Sequence, residues 1–165
     1  CIRDRPISAL LNPENILCDV QCQSRKRALQ VAAQAIAEND PDNEGLLSDE
    51  VFAGLLERER LGSTGLGFGV AIPHCRMACQ SIHATFLTLT ESVDYEALDN
   101  EGVDLLFVLV VPKNETHAHL DVLAELATVF SSAENRSELR KCNNADAILS
   151  CLQRIDAASP DAKHA

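Results

Sequence analysis

The chain has 165 residues, of which 46% are hydrophobic and 24% are charged, and its formal net charge is −11. This length favours one domain, and this composition is typical of a soluble globular protein. The acidic balance and the 4% aromatic content argue against nucleic-acid binding, which selects for clusters of Lys and Arg or for aromatic stacking platforms.

The termini and the cysteines indicate the compartment. The N-terminal segment CIRDRPISALL lacks the basic, apolar and small-residue regions of a signal peptide. The seven cysteines show no framework of spacings, so we expect reduced thiols in a cytoplasmic protein. We predict one domain over residues 7–155, an N-terminal extension at 1–6 and a disordered tail at 156–165.

Two amphipathic helices are predicted in the first half of the chain. Ser24 can cap the first helix, which extends to Asn39 and whose apolar residues recur at helical spacing. The second covers residues 46–60, with Ser48 as its N-cap. Gly62 follows the last turn as the expected C-terminal cap.

The pattern then changes to strands. Residues 70–74 read as a short extended segment, and alternation over 82–90 predicts a strand with one polar face, in which His83 takes a solvated edge position. The apolar run 103–112 predicts a central strand buried on both faces. Three further helices are expected, the first opening at His119. This order predicts an α/β fold with a mixed sheet and helices packed on its faces.

The glycine-rich stretch GSTGLGFGVAIPH, residues 62–74, invites a nucleotide-binding interpretation. A phosphate loop needs a lysine, and this stretch has none. A dinucleotide fingerprint runs from a strand into a helix, whereas these glycines follow a helix and enter a strand. We therefore expect no nucleotide cofactor and interpret the glycines as a turn that uses positive φ angles.

A metal site is the second alternative. His74, Cys75, Cys79 and His83 form the pattern HC-x3-C-x3-H, which contains ligand types that zinc prefers. Adjacent His and Cys make a poor ligand pair, and the segment beyond residue 82 is predicted as a strand. We therefore expect no metal.

Histidine chemistry is the third alternative for this part of the chain. His74 ends an apolar segment just past the glycine turn, and His119 opens a helix after the buried strand; strand ends of this kind commonly carry sites. Neutral imidazole is a good nucleophile near pH 7, and Arg58 or Arg60 could stabilise a transferring phosphoryl group. The residues alone leave phosphohistidine chemistry and purely structural histidines both open.

A resemblance narrows this choice. The segment RERLGSTGLGFGVAIPH, residues 58–74, resembles the active-site signature of the mannitol/fructose-type IIA proteins of the bacterial phosphotransferase system, and most of all the nitrogen-regulatory branch. ISALLNPENIL and SRKRALQVAAQAIAE are similar to that branch's N-terminal segment and first long helix. ALDNEGVDLLFVLVVPKNETHAHLDVLAELA is similar to the block that carries the family's second histidine. The resemblance covers roughly residues 7 to 155.

The resemblance implies a single-domain α/β/α sandwich with a mixed β-sheet flanked by helices. It implies that His74 is the phosphorylated residue, through Nε2. His119, rather than His117, and Arg58 would stabilise the phosphoryl oxygens, and Thr64 would support the turn by a hydrogen bond. The chain departs from the family's pattern at Cys75, where glycine or another small residue is usual.

The resemblance also implies partners. The donor would be a phosphohistidine of a small phosphocarrier protein, HPr or its nitrogen-branch paralogue, with no metal or nucleotide at this step. The chain would then regulate protein targets such as sensor kinases or potassium-transport proteins, without binding nucleic acid or inserting into a membrane. Two alternatives stay open: a sugar-specific IIA component that passes phosphate to a IIB domain, and a non-catalytic interaction module in which His74 is structural.

Overall fold

The computed structural model describes residues 7–39, 45–62, 64–79, 81–95, 102–113 and 116–158. Within these ranges, one six-stranded sheet is covered by helices on both faces. The strands are β1 (Ile16–Val20), β2 (Gly65–Gly67), β3 (Val70–Ala71), β4 (His74–Met77), β5 (His83–Val93) and β6 (Val103–Pro112). The helices are α1 (Arg25–Glu38), α2 (Ser48–Arg60), α3 (Thr116–Ser131), α4 (Ala133–Lys141) and α5 (Ala145–Ala158).

The sheet is mixed, as predicted. Its strand order is β1-β5-β6-β3-β2, and β4 continues the line of β3 along β6. β1 is parallel to β5, and both β3 and β4 are parallel to β6. The pairs β5–β6 and β2–β3 are antiparallel. The glycine turn and the candidate histidine therefore lie along the same edge of β6.

Strand β6 has the predicted bounds and separates two hydrophobic cores. Its alternate residues point to opposite faces of the sheet, and both faces are apolar. One core, packed with α3, α4 and α5, receives Leu105, Phe107, Leu109 and Val111. The other, packed with α1 and α2, receives Leu106, Val108 and Val110. The predicted α/β/α sandwich is confirmed.

The predicted polar face of β5 is wrong. Seven consecutive residues from His83 are buried, and His83 itself is only 5% exposed. The reason is position, because β5 lies between β1 and β6 with helices over both faces. The two buried threonines have hydrogen-bond partners inside: Thr85 Oγ1 donates to the Asn15 carbonyl at 2.5 Å, and Thr88 Oγ1 accepts from the Asp19 amide at 2.9 Å.

The helix ends agree with the sequence at two of three predicted caps. Ser24 caps α1, its hydroxyl accepting from the Arg27 amide at 3.2 Å. Gly62 follows the end of α2 with a positive φ of 151°. Ser48 is the first residue of α2, and its prediction as N-cap is wrong, because Leu47 occupies that position with a side chain that cannot accept a hydrogen bond.

Helix α3 begins at Thr116, three residues before the predicted start at His119. The first turn is polar, so apolar periodicity could not reveal it. Helix α5 extends to Ala158, past the predicted domain limit, and residues 1–6 and 159–165 lie outside the described residues. In the described part of the chain, no helix combines the length and the apolar character needed to cross a bilayer.

Candidate active site

The glycine stretch forms a tight hairpin between β2 and β3. Its turn passes through the left-handed region at three successive residues, Gly67 (φ 92°), Phe68 (φ 59°) and Gly69 (φ 82°). A side chain on Gly69 would also collide with its surroundings, since a Cβ there would lie 2.3 Å from the Arg140 Nη2. The prediction that these glycines serve positive φ is confirmed at 67 and 69, and the prediction of close approach is confirmed at 69.

Helix α4 holds this turn in place. Arg140 Nη2 donates to the Phe68 carbonyl at 2.7 Å and to the Asp104 carboxylate at 2.9 Å, while its Nε reaches the second carboxylate oxygen at 3.1 Å. The Arg136 guanidinium lies 4.4 Å from the centre of the Phe68 ring. The bidentate pair and the cation–π contact fix a backbone conformation that an aromatic residue rarely adopts.

His74 is the first residue of β4 and pairs with Leu109 of β6. The sequence placed it at the end of a strand, but the strand that precedes it, β3, ends at Ala71. Pro73 has no amide hydrogen, so the ladder along β6 is interrupted there and resumes at His74. The Pro73 carbonyl still accepts from the Leu109 amide at 2.9 Å, which keeps the segment against β6.

The His74 ring is half-buried, and its Nδ1 lies 2.9 Å from the Ile72 carbonyl oxygen. A carbonyl oxygen can only accept, so Nδ1 carries the hydrogen in this contact. In the neutral ring the lone pair is then on Nε2. The backbone two residues earlier thus selects the nitrogen able to act as nucleophile.

Arg58 lies in the last turn of α2, just before the glycine hairpin. It is half-buried, and its Nη1 donates to the Gly62 carbonyl at 2.9 Å, which uses one of five N–H donors. Its charge suits the carboxyl end of a helix. Arg60, the other arginine of this turn, is exposed and pairs with Glu57 at 3.2 Å.

Thr64 is buried and makes three bonds that tie the hairpin to α2 and to the histidine segment. Its amide donates to Glu59 Oε1 at 3.1 Å, and its hydroxyl donates to Glu59 Oε2 at 2.5 Å. Its carbonyl accepts from the Ile72 amide at 3.1 Å. Ile72 in turn holds the His74 ring, so Thr64 and His74 are joined through one residue.

Two residues complete the surroundings of the Glu59 carboxylate. Arg25 Nη1 lies 3.9 Å from Glu59 Oε1, and its guanidinium stands over the Tyr95 ring at 5.4 Å. The Tyr95 hydroxyl lies 3.4 Å from Thr64 Oγ1. Burial, reinforced by the nearby Glu59 carboxylate, raises the pKa of the Tyr95 phenol, which therefore stays protonated.

Sequence reasoning missed Glu59, Arg25 and Tyr95. A signal for the first was present, because Glu59 continues the four-residue spacing of Val51 and Leu55, and all three are buried on one face of α2. An acidic residue on a buried stripe requires partners. Nothing local marked Arg25 or Tyr95, which come from distant elements.

The histidine pair of α3 is placed only by its backbone. His117 and His119 both lie in the first turn of α3. This helix follows β6, the strand with which β4 pairs. Their side chains fall outside the described residues. The approach of His119 to His74 remains a prediction.

The cysteines next to the candidate histidine are free thiols, as are the other four that the structure describes. Cys75 is packed against α2, and burial, followed by the nearby Cys79, raises the pKa of its thiol to about 12. Among the described residues, no group of three or more His, Cys, Asp or Glu side chains is arranged to hold a metal ion.

Comparison with known proteins places this geometry in a family. Residues 9–155 match the family described as "Phosphoenolpyruvate-dependent sugar phosphotransferase system, EIIA 2". The nitrogen regulatory protein of Pseudomonas aeruginosa is 41% identical over 143 residues, covering 86% of this chain and 91% of its own. The crystal structure of the nitrogen regulatory protein IIA-Ntr from Neisseria meningitidis superposes with a TM-score of 0.82 at 37% identity, covering 88% of this chain and 98% of that one.

A more distant structure shows the same fold. The crystal structure of IIA mannitol from Escherichia coli has a TM-score of 0.71 at 21% identity, covering 86% of this chain and 98% of that one. The mixed sheet and these similarities lead to the same family. The chain belongs to the EIIA 2 family of the phosphoenolpyruvate-dependent sugar phosphotransferase system, and within it is similar to the nitrogen regulatory proteins.

Proposed function

We propose that this protein is a phosphoryl-carrying regulator of the nitrogen branch, and that it accepts a phosphoryl group on Nε2 of His74. The donor would be the phosphohistidine of a small phosphocarrier protein, HPr or its nitrogen-branch paralogue. The observation that carries the proposal is the 2.9 Å contact between His74 Nδ1 and the Ile72 carbonyl, because it leaves the lone pair of the neutral ring on Nε2.

The transfer needs no separate base. The Nε2 lone pair forms the new P–N bond while the P–N bond of the donor breaks. The donor ring carries a proton on its other nitrogen, so the returning electron pair leaves a neutral donor imidazole. The proton on His74 Nδ1 stays in place, hydrogen-bonded to the Ile72 carbonyl. Catalysis then consists of positioning and of stabilising charge on the three phosphoryl oxygens.

We assign that stabilisation to Arg58 and His119. Arg58 is anchored at the end of α2 by the Gly62 carbonyl, and its planar guanidinium suits phosphoryl oxygens. His119 lies in the first turn of α3. Thr64 supports the turn that leads to the histidine segment through its carbonyl bond to the Ile72 amide.

Regulation would follow from charge. A phosphoryl group adds about −1.5 to −2 charges at neutral pH, enough to change docking to protein partners such as sensor kinases or potassium-transport proteins. The six free thiols among the described residues suit the reducing cytoplasm, where we place the protein.

A sugar-specific role is the second candidate, since the family description names a sugar phosphotransferase system. Here the protein would pass its phosphoryl group to a IIB domain of a fructose- or mannitol-class permease. The similarity to nitrogen regulatory proteins over most of both chains favours the regulatory role. A gene neighbourhood with a sigma-54 factor would support regulation, and one with IIB and IIC genes would support transport.

Intact-mass measurement tests the proposal. The protein is incubated with enzyme I, the phosphocarrier and phosphoenolpyruvate, and we expect the mass to rise by one phosphoryl group. The His74→Ala variant should show no gain while keeping its circular dichroism spectrum. An undiminished gain in that variant would move the acceptor to another residue, and no gain in the wild type would leave only the structural role for His74.

A further inference from the structure

We infer that Glu59 is a positioning residue for His74. It acts through a buried series of hydrogen bonds that starts at Glu59 and runs by way of Thr64 and Ile72. The inference rests on the proposed phosphoryl transfer for its consequence and on the described contacts for its geometry. Glu59 does not itself need to touch the phosphoryl group. Its role would be to fix which nitrogen of His74 carries the proton and where the ring stands.

The first member of this series of hydrogen bonds is a buried carboxylate. The Glu59 side chain is only 1% exposed, although a carboxylate is among the least favourable groups to bury. Each of its oxygens is engaged by Thr64: Oε1 accepts from the amide and Oε2 from the hydroxyl. This two-point contact fixes both the backbone and the side chain of Thr64 relative to α2.

The next links are in the backbone. The Thr64 carbonyl accepts from the Ile72 amide at 3.1 Å, and the Ile72 carbonyl lies 2.9 Å from His74 Nδ1. Ile72 is thus held by Thr64 at its amide and holds the His74 ring at its carbonyl. Because Ile72 is only 4% exposed, packing keeps it from adopting a different orientation.

A cation from another helix accompanies the carboxylate. Arg25, the first residue of α1, approaches Glu59 Oε1 to 3.9 Å and covers the Tyr95 ring. The Tyr95 hydroxyl is 3.4 Å from Thr64 Oγ1. The carboxylate therefore lies between α1, α2 and the segment after β5.

The test compares two disrupting variants with a rescue and a control. Glu59→Gln supplies only one acceptor oxygen, so one of the two bonds to Thr64 is lost. Thr64→Val removes the hydroxyl at nearly constant volume, and Thr64→Ser restores it. Thr88→Val is the matched control, because it removes a buried threonine hydroxyl that bonds the Asp19 amide on β1.

The first readout is spectroscopic and independent of transfer. In 15N-labelled protein, long-range 1H–15N correlation reports which ring nitrogen of His74 is protonated. We expect the wild type, Thr64→Ser and Thr88→Val to show the Nδ1-protonated ring. Glu59→Gln and Thr64→Val should show a mixture shifted toward the Nε2-protonated form.

The second readout is the rate of phosphoryl gain, which we expect to fall about 100-fold in Glu59→Gln and Thr64→Val and to recover in Thr64→Ser. Should Glu59→Gln fail to fold, Thr64→Val and its rescue carry the test alone. A wild-type ring state and rate in a folded Thr64→Val would overturn the positioning role, as would an equal effect of Thr88→Val. If the wild type takes up no phosphoryl group, the proposed function fails, and the ring-state comparison still decides the inference.

Discussion

Gly54 of α2 lies directly against Cys75 of β4: a Cβ atom on Gly54 would stand 3.1 Å from the Cys75 sulfur. A glycine inside a helix costs about 1 kcal/mol relative to alanine. Here it lets the helix that ends near Arg58 approach the strand that begins at His74. The separation of these two candidate residues therefore depends on a contact that neither of them makes.

This contact predicts a coupling between the two positions. Gly54→Ala should gain helix propensity, but the added methyl group presses on Cys75 and cancels that gain in the wild-type background. With Cys75→Ala the sulfur is absent, and Gly54→Ala should raise the free energy of unfolding by about 1 kcal/mol. Urea unfolding of the four proteins checks this, and additive effects would contradict it.

Stability should depend on alkaline pH through Cys75. Its pKa is raised to about 12 in the folded protein, chiefly by burial, against an ordinary value of 9.0. The folded state therefore keeps the proton longer than the unfolded state, so the contribution is fully present below pH 9 and is lost as pH rises toward 12.

Above pH 9 this single group lowers the free energy of unfolding by at most about 1.4 kcal/mol per pH unit. Thermal unfolding between pH 8 and 10.5, in the presence of a reductant, should show a smaller decline for Cys75→Ala than for the wild type. Equal declines would show that another group dominates. Tyr95→Phe is the natural comparison, since the pKa of Tyr95 is raised in the same direction.

Arg58 and Arg60 provide a matched pair for testing phosphoryl stabilisation. Both lie in the last turn of α2, but Arg60 is exposed and paired with Glu57. Arg58→Ala should slow phosphoryl gain about 100-fold, as expected for the loss of one donor to a developing charge. Arg60→Ala should leave the rate within about twofold, because exposed i,i+3 pairs contribute little. Single-turnover mass measurement compares them, and equal rates in the two variants would remove Arg58 from the site.

The first turn of α3 offers a second pair. His119→Ala should slow transfer about 100-fold if its imidazole stabilises the phosphoryl oxygens, whereas His117→Ala should be close to wild type. The same single-turnover measurement applies, with circular dichroism as the check on folding. The reverse order of effects would assign the second histidine to position 117.

Local patterns in the sequence predicted what depends on near neighbours. Strand β6 could be predicted to the residue because eight of the nine residues between Gly102 and Pro112 are apolar. The glycine turn could be predicted because positive φ angles favour glycine, and the glycines are visible in the sequence. The β5 error shows the limit, since the strand's alternation suggested a polar face, and only its position between β1 and β6 explains why Thr85 and Thr88 are buried.

The site was predicted in part for the same reason. His74 stands out through Pro73 and the glycines, and its role as phosphoryl acceptor stays a prediction from the family resemblance. The contacts that hold it were invisible, because Arg25, Glu59 and Tyr95 meet only after α1, α2 and β5 have packed. The Arg140 contact to the Phe68 carbonyl likewise joins residues 72 positions apart.

The pairing of His74 with Leu109 has a consequence for the newly made chain. During synthesis the histidine emerges well before β6, the strand with which β4 pairs among the residues that the structure describes. Domains generally fold as units, so the imidazole would acquire its fixed ring state only when the sheet closes. Acceptance of a phosphoryl group would then require a completed fold. A truncated chain that ends before β6 would accept no phosphoryl group.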